Sequence, residues 1–318
     1  MAEFLGLAYY AEIPVVLMDI QRTGPSTGMP TRSQQSDLLA AAYASHGDTK
    51  NVLLFPCDPK ECFEMAATAF DLAERLQTPV IVMSDLDLGM NDHLSPPLSW
   101  DDNRRYDRGK VLDAAALDAR SEQWGRYLDS DGDGICYRTY PGTHPRKGAY
   151  FTRGTSHNEY SAYTEDNVIY RRGMIRLAHK WETAKTMMPA PQVILRDERA
   201  RLGAMYFGTT THAAGEAIDL LAAGGVTINS LRLLALPFGP EVADFIDRHD
   251  RIFVIEQNRD GQMRLLLINE GNFAPEKLLS VVNFDGMPIT AAAIVEQIRL
   301  LAPRYAASSG NDSQGARP

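Results

Sequence analysis

Between Arg22 and Gly28 the sequence RTGPSTG places a guanidinium, the hydroxyls of Thr23, Ser26 and Thr27, and the glycines Gly24 and Gly28 within a single short stretch. Arginine keeps its charge at all relevant pH values and presents a planar fork of donors, suited to gripping a carboxylate at two points. Glycines let backbone amides approach a bound molecule closely. The chemistry such a set supports is the binding and orientation of a small anionic acid. The plainer alternative is a surface loop whose arginine is solvated, or is paired with the nearby Asp19 or Asp37.

What precedes and follows this stretch sets its position. Val15 to Ile20 is an apolar, β-branched run that reads as a buried strand, and a helix is expected to restart near Ser33, with alanines and leucines from Leu38 to Ala44. The loop then lies at the carboxyl end of a strand and leads toward a helix, where open parallel α/β sheets bind ligands. Asn51 to Phe55 reads as the next strand. Asp58-Pro59 supplies an N-cap and a first-turn proline for a helix to about Leu76, whose Phe63, Ala66, Ala67, Phe70 and Ala73 fall at helical spacing for a core. Pro79 to Ser84 is again strand-like. This alternation argues for a doubly wound, parallel sheet.

From Asp85 to about Tyr163 regularity fades, and we expect an arm lying over the sheet or across a neighbouring subunit. Its Tyr140, His144, Arg146, Lys147, Tyr150, Phe151 and Arg153 suit an interface or a lid, and equally an ordinary surface loop. A helix capped by Thr164-Glu165-Asp166 reaches about Met187. A second α/β unit follows: strands at Val193–Leu195, Ala204–Phe207, Thr227–Leu234 and Ile252–Glu256, a helix after the Gly208–Thr211 turn closed by Gly224-Gly225, a helix from Pro240, and a last helix over Thr290–Leu301. The expected division is 1–95, a partial α/β domain; 96–190, the irregular arm and a helix; 191–303, the second α/β domain; and 304–318, a disordered tail.

Several patterns invite sharper readings. Asp129 to Gly134 (DSDGDG) has the acidic spacing of a calcium loop, but its twelfth position is Tyr140 rather than a bidentate glutamate. Gly132-Asp133-Gly134 with Asn158 resembles a thiamine-diphosphate metal motif, yet no apolar strand precedes it, so we read an acidic turn. The Gly208-Thr209-Thr210-Thr211 turn at a helix start could cradle phosphate. It has neither a GxGxxG pattern nor a P-loop lysine and reads as structural. His212, just past it, reads as a surface or packing residue, and His46-Gly47-Asp48 as a helix-to-strand connection. The cysteines Cys57, Cys62 and Cys136 form no CxxC and are too few for a cubane cluster; reduced thiols point to the cytoplasm.

With 318 residues, 44% hydrophobic and 23% charged, the chain has the composition of two globular domains. Lys and Arg number 32 against 41 Asp and Glu, a net charge of −9 that argues against nucleic acid or an anionic membrane as a partner. The apolar amino terminus is neither a signal peptide nor a span: its first basic residue is Arg22, and Glu3, Glu12 and Pro14 interrupt it.

Three stretches carry a resemblance. DIQRTGPSTGMPTRSQQSDL at Asp19–Leu38, RTYPGTHPRKGAYFTRGTSHNEYSAYTED at Arg138–Asp166 and VIEQNRDGQMRLLL at Val254–Leu267 resemble, in this order, the α subunit of 2-oxoacid:ferredoxin oxidoreductases, the 2-oxoglutarate type above all. The resemblance implies a thiamine-diphosphate pyrimidine-type domain, truncated, and a transketolase C-terminal-like domain. It implies an oxidative decarboxylation of 2-oxoglutarate to succinyl-CoA with electrons to ferredoxin, or the reverse, with pyruvate or a branched-chain 2-oxoacid as alternatives. It further implies that Arg22 binds the substrate carboxylate while Thr23, Ser26, Thr27 and Gly28 line the pocket. Thiamine diphosphate and Mg²⁺ would sit at the interface with a β subunit, a [4Fe-4S] cluster on the partner chain, and no cofactor on this chain alone. Glu256-Gln257-Asn258-Arg259 would make a subunit contact. The resembled subunit has an earlier segment with a TPITPS-like loop and an activating glutamate, which this sequence does not contain; the expectation is a chain starting inside a domain, and a scaffold that only binds the β subunit stands as the alternative.

Overall fold

The computed structural model describes residues 1–306. The chain opens with α1 (Ala2–Ala11) and turns at Glu12, whose backbone is left-handed at φ 56°. That conformation is costly for a residue with a side chain. It is held because the Glu12 carboxylate is buried among Arg176, Lys180 and Arg126. The elements β1 (Val15–Gln21), α2 (Leu38–Ala42), β2 (Val52–Leu54), α3 (Pro59–Leu76), β3 (Pro79–Asp85) and the short α4 (Leu86–Met90) follow. β3, buried along its whole length, lies between β1 and β2 and is parallel to both, with Val15 beside Pro79 and Val52 beside Val80. Asp58 caps α3 as its sequence predicts, its Oδ1 accepting from the Glu61 amide at 2.8 Å. Of the expected core positions of α3, Ala67 and Ala73 are buried, joined by Met65, Ala69 and Leu72, whereas Phe70 is 52% exposed.

Residues 91 to 166 carry a single short helix, α5 (Ala114–Ala119), and lie against this chain's own helices. Gln77 donates to the Cys136 carbonyl at 2.6 Å, Arg104 pairs with Asp71, and the Tyr127 hydroxyl donates to the Ala11 carbonyl. α6 (Asn167–Lys185) starts at an Asp166 cap that accepts from the Val168 and Ile169 amides.

The second layer runs β4 (Gln192–Ile194), β5 (Leu202–Phe207), α7 (Thr210–Ala223), β6 (Asn229–Leu233), β7 (Ala235–Leu236), α8 (Pro240–Arg248), β8 (Arg251–Glu256), α9 (Gln262–Gly271), a 3₁₀ turn at Pro275–Lys277, β9 (Leu278–Val282) and α10 (Ala291–Ala306). Its sheet has the order β4-β6-β5-β8-β9, parallel except at β4. The fold class is therefore α/β with two mainly parallel sheets.

The strand expected over Thr227–Leu234 forms as β6, and directly after it the chain changes sheet. Asn229–Leu233 stays in the second sheet, while Ala235–Leu236 crosses to the first and pairs antiparallel with β2, Leu236 opposite Leu53. One core consequently spans both sheets: Leu53, Leu54 and Phe55 pack with Phe207, Leu236 and Phe238, and the rings of Phe55 and Phe207 stand 5.2 Å apart. A second cluster, including Ile218, Phe253 and Ile298, lies beneath α7 and α10. α10 reaches Ala306, three residues into the stretch assigned to a tail; 307–318 lie outside the described residues.

Candidate active site

Arg22 follows β1 directly and forms part of the wall of a cleft of about 560 Å³ at the carboxyl end of the strand. The cleft joins the two layers: Asp19, Ser26 and Asp37 come from the first, Asn258, Arg259 and Phe284 from the second. Among the described residues Arg22 forms neither an ion pair nor a hydrogen bond, so the alternative of a guanidinium tied to Asp19 or Asp37 does not hold. An exposed, unpaired fork at a strand end is available to an incoming carboxylate.

Of the residues expected beside it, the structure brings Ser26 to the cleft wall, together with Gly24 and Pro25. Thr23, Thr27 and Gly28 are not part of that wall. Thr23 is buried and closes the loop: its amide donates to the Arg32 carbonyl at 2.9 Å, its hydroxyl meets the carbonyls of Arg32 and Ser33, and its own carbonyl accepts from Met29. It fixes the base from which Arg22 projects. Gly286, at φ 84°, braces the same loop from the second layer; a Cβ there would come within 2.4 Å of Met29 Cε. A side chain at 286 would strain this positive-φ backbone and require the Met29 side chain to swing aside.

Sequence reading treated the cleft's carboxyls only as possible arginine partners. Burial, and then the charge of Asp37, push the Asp19 carboxyl up to about 6, and burial raises Asp37 as well. The available signal was a lone aspartate inside an apolar strand.

Behind the cleft, Glu256, Gln257 and Asn258 are fully buried within the chain rather than presented to a partner. They form a polar clamp between the layers. Gln257 Nε2 donates to the Thr209 and Thr210 hydroxyls, its Oε1 accepts from the Ile289 amide, and its carbonyl accepts from Gln35 at 2.7 Å. Thr209 in turn donates to Asp85 at 2.5 Å. Asn258 donates to the Gln35 carbonyl and to Glu256, whose carboxylate also accepts from the Met263 and Arg264 amides at the start of α9. The Gly208–Thr211 turn thus serves this clamp, and of the four Asn258 and Arg259 reach the cleft. His212 is exposed. The DSDGDG loop is a turn closed on itself: Asp129 accepts from the Gly132 and Gly134 amides, and Lys110 pairs with Asp131 and Asp133. Among the described residues no group of three His, Cys, Asp or Glu is placed to hold a metal ion, and no helix is long and apolar enough to cross a membrane.

A parallel α/β chain with a cleft at a strand end defines the class, and comparison with known proteins narrows it. Residues 1–99 match the family described as pyruvate flavodoxin/ferredoxin oxidoreductase, thiamine diphosphate-binding. The chain is similar to the 2-oxoacid:ferredoxin oxidoreductase α subunits: it is 32% identical over 304 residues to subunit α of the Aeropyrum pernix enzyme 2, covering 94% of this chain and 46% of that one. The 2-oxoglutarate synthase subunit KorA of Methanothermobacter marburgensis is 43% identical over 98 residues, 30% of this chain and 26% of that protein. Among solved structures, the 2-oxoglutarate:ferredoxin oxidoreductase of Magnetococcus marinus, with 2-oxoglutarate, coenzyme A and succinyl-CoA bound, superposes with a TM-score of 0.83 at 26% identity, over 94% of this chain and 50% of that one. The resemblance carried by the three sequence stretches is borne out, and the relatives are enzyme subunits. This chain spans about half the length of the Aeropyrum relative and of the solved chain.

Proposed function

We propose that this chain is an α-type subunit of a thiamine-diphosphate-dependent 2-oxoacid:ferredoxin oxidoreductase, and that its cleft holds the 2-oxoacid by Arg22. The favoured substrate is 2-oxoglutarate, converted to succinyl-CoA and CO₂ with electrons passed to ferredoxin, or formed in reverse, in the cytoplasm. The unpaired guanidinium of Arg22 in the cleft wall carries the reading, supported by the likeness to 2-oxoglutarate enzymes.

The donor set fits the acid. Arg22 takes the carboxylate bidentately, Ser26 offers a hydroxyl at the same wall, and the buried Thr23 hydrogen bonds keep the loop from yielding. A guanidinium favours the anionic ground state, so Arg22 orients the substrate rather than promoting loss of CO₂. Thiamine diphosphate, when bound, supplies the nucleophilic carbon and the electron sink for the cleavage. Mg²⁺, the diphosphate and the iron–sulfur cluster would lie chiefly with a β-type partner, a reading supported by the likeness to relatives named as α subunits. In the complete complex, Arg22→Ala should raise the 2-oxoglutarate KM by about 10- to 100-fold, the loss of a charge-assisted pair, with a smaller change in kcat. An unchanged KM removes Arg22 from the substrate site.

A further inference from the structure

A second cavity, of about 420 Å³, opens in the arm and shares no residue with the cleft. Its floor includes Arg126, only 3% exposed. This guanidinium belongs to a buried cluster with an excess of positive charge: Arg126, Arg176 and Lys180 gather around the single carboxylate of Glu12. Arg176 grips both Glu12 oxygens at 2.9 Å and Lys180 approaches one at 2.7 Å. Arg126 is left with the Glu12 backbone carbonyl and a distant 3.9 Å approach to the carboxylate. Its Nε and Nη1 have no hydrogen-bond acceptor, and the same is true of Trp124 Nε1 and Ser161 Oγ, all buried and all on residues of this cavity.

Unmet buried donors are costly, and an excess of buried cations more so. The rest of the wall deepens the imbalance: Arg120, Arg146 and Lys147 face Glu122 alone. Lys147 is partly answered by Asp118 at 2.9 Å, outside the wall, and Arg120 lies over the Tyr137 ring. The remaining wall is aromatic. Trp124 and Tyr150 meet edge to face at 5.5 Å, and the Arg126 guanidinium stacks 5.6 Å from Tyr150. Converging cations beside ring surfaces are the features that recognise a phosphate attached to a planar group.

We propose that the arm cavity binds a phosphorylated ligand, its dianion held by Arg126, Arg146 and Lys147 and its planar part lying against Trp124 and Tyr150. The volume is that of a small-molecule site. Adenosine monophosphate is a suitable probe, titrated into the full chain by calorimetry and by Trp fluorescence. The expected result is saturable binding with a dissociation constant at or below about a millimolar, weakened about tenfold or more in Arg146→Ala/Lys147→Ala. Both of those residues are exposed, so the fold should survive the change. The Arg22→Ala chain should bind the probe as the unaltered chain does. Absence of saturation, equal binding by the double variant, or loss of binding with Arg22→Ala would each overturn the proposal. The last result would instead place the ligand in the cleft.

Discussion

Arg22 and Asp19 share a cleft but answer to different physics. Arg22 brings a guanidinium to the wall, whereas the Asp19 carboxyl is pushed up to about 6 because burial and the neighbouring Asp37 disfavour its anion. Below about pH 6 Asp19 is neutral. Above it, an anion stands in the same wall as Arg22, with Asp37, Arg259 and the ion-paired Asp260 as the other charged groups present. If the cleft receives a carboxylate, the KM for 2-oxoacid should rise as pH passes through 6, and Asp19→Asn should flatten that rise; a slope unaltered by Asp19→Asn would sink the assignment. The stability sign is the same. A carboxyl raised in the folded state contributes most below the unfolded pKa of about 4 and loses that contribution as pH climbs through 6. Arg22 was legible in the sequence because a lone guanidinium among hydroxyls and glycines after a strand is an unusual local composition. The role of Thr23 was not legible, because whether a hydroxyl faces a cleft or its own loop depends on the register of the turn.

At the scale of elements, two polar knots do the joining. Glu12 fastens the end of α1 to α6: burial alone would raise its carboxyl, but Arg176, Lys180 and Arg126 overcome this and hold it well below the ordinary range. Glu12→Ala should therefore cost about 3–5 kcal/mol in denaturant unfolding, since it strands buried cations. The contribution of Glu12 should persist above about pH 4 and fade as pH falls toward its depressed folded pKa. Full stability at pH 2 would refute the account. The second knot is Gln257. In Gln257→Leu the Ile289 amide loses its acceptor and Thr209 and Thr210 lose a donor, so a loss of about 2–4 kcal/mol is expected at constant m value. A loss under about 0.5 kcal/mol would show that the clamp is not needed. The Glu-Gln-Asn run could be found as a motif, but its interior position could not, because in sequence three consecutive polar residues after a strand read as solvent-facing. For the same reason β7 was missed: Ala235-Leu236 continues the apolar pattern of β6, and only the packing of the first sheet shows that the chain changes partner.

Contacts between the two sheets predict that the molecule as a whole unfolds as one cooperative unit. β7 gives the first sheet its fourth strand, Arg232 of β6 pairs with Glu61 of α3, and Glu270 of α9 receives both Tyr43 at 2.6 Å and Lys50 at 2.7 Å. Leu53 stands at the centre of this junction, wholly buried and opposite Leu236. Truncating it should cost about 2–5 kcal/mol, the usual range for a leucine removed from a close-packed core. The informative quantity is where that loss is felt. In native-state hydrogen exchange, amides of β3 in the first sheet and of β5 and β8 in the second should open with similar free energies, and Leu53→Ala should lower all of them together, as expected of a single cooperative unit. Were the sheets independent, β5 and β8 would keep their protection while β3 lost its own. The same coupling bears on function, because the cleft takes one wall from each layer: a variant that loosens the junction should impair substrate binding without touching Arg22. Leu53→Ala is thus expected to raise the 2-oxoacid KM in the assembled complex more at temperatures approaching its melting transition than well below it, and a temperature-independent KM ratio would separate the cleft from the junction.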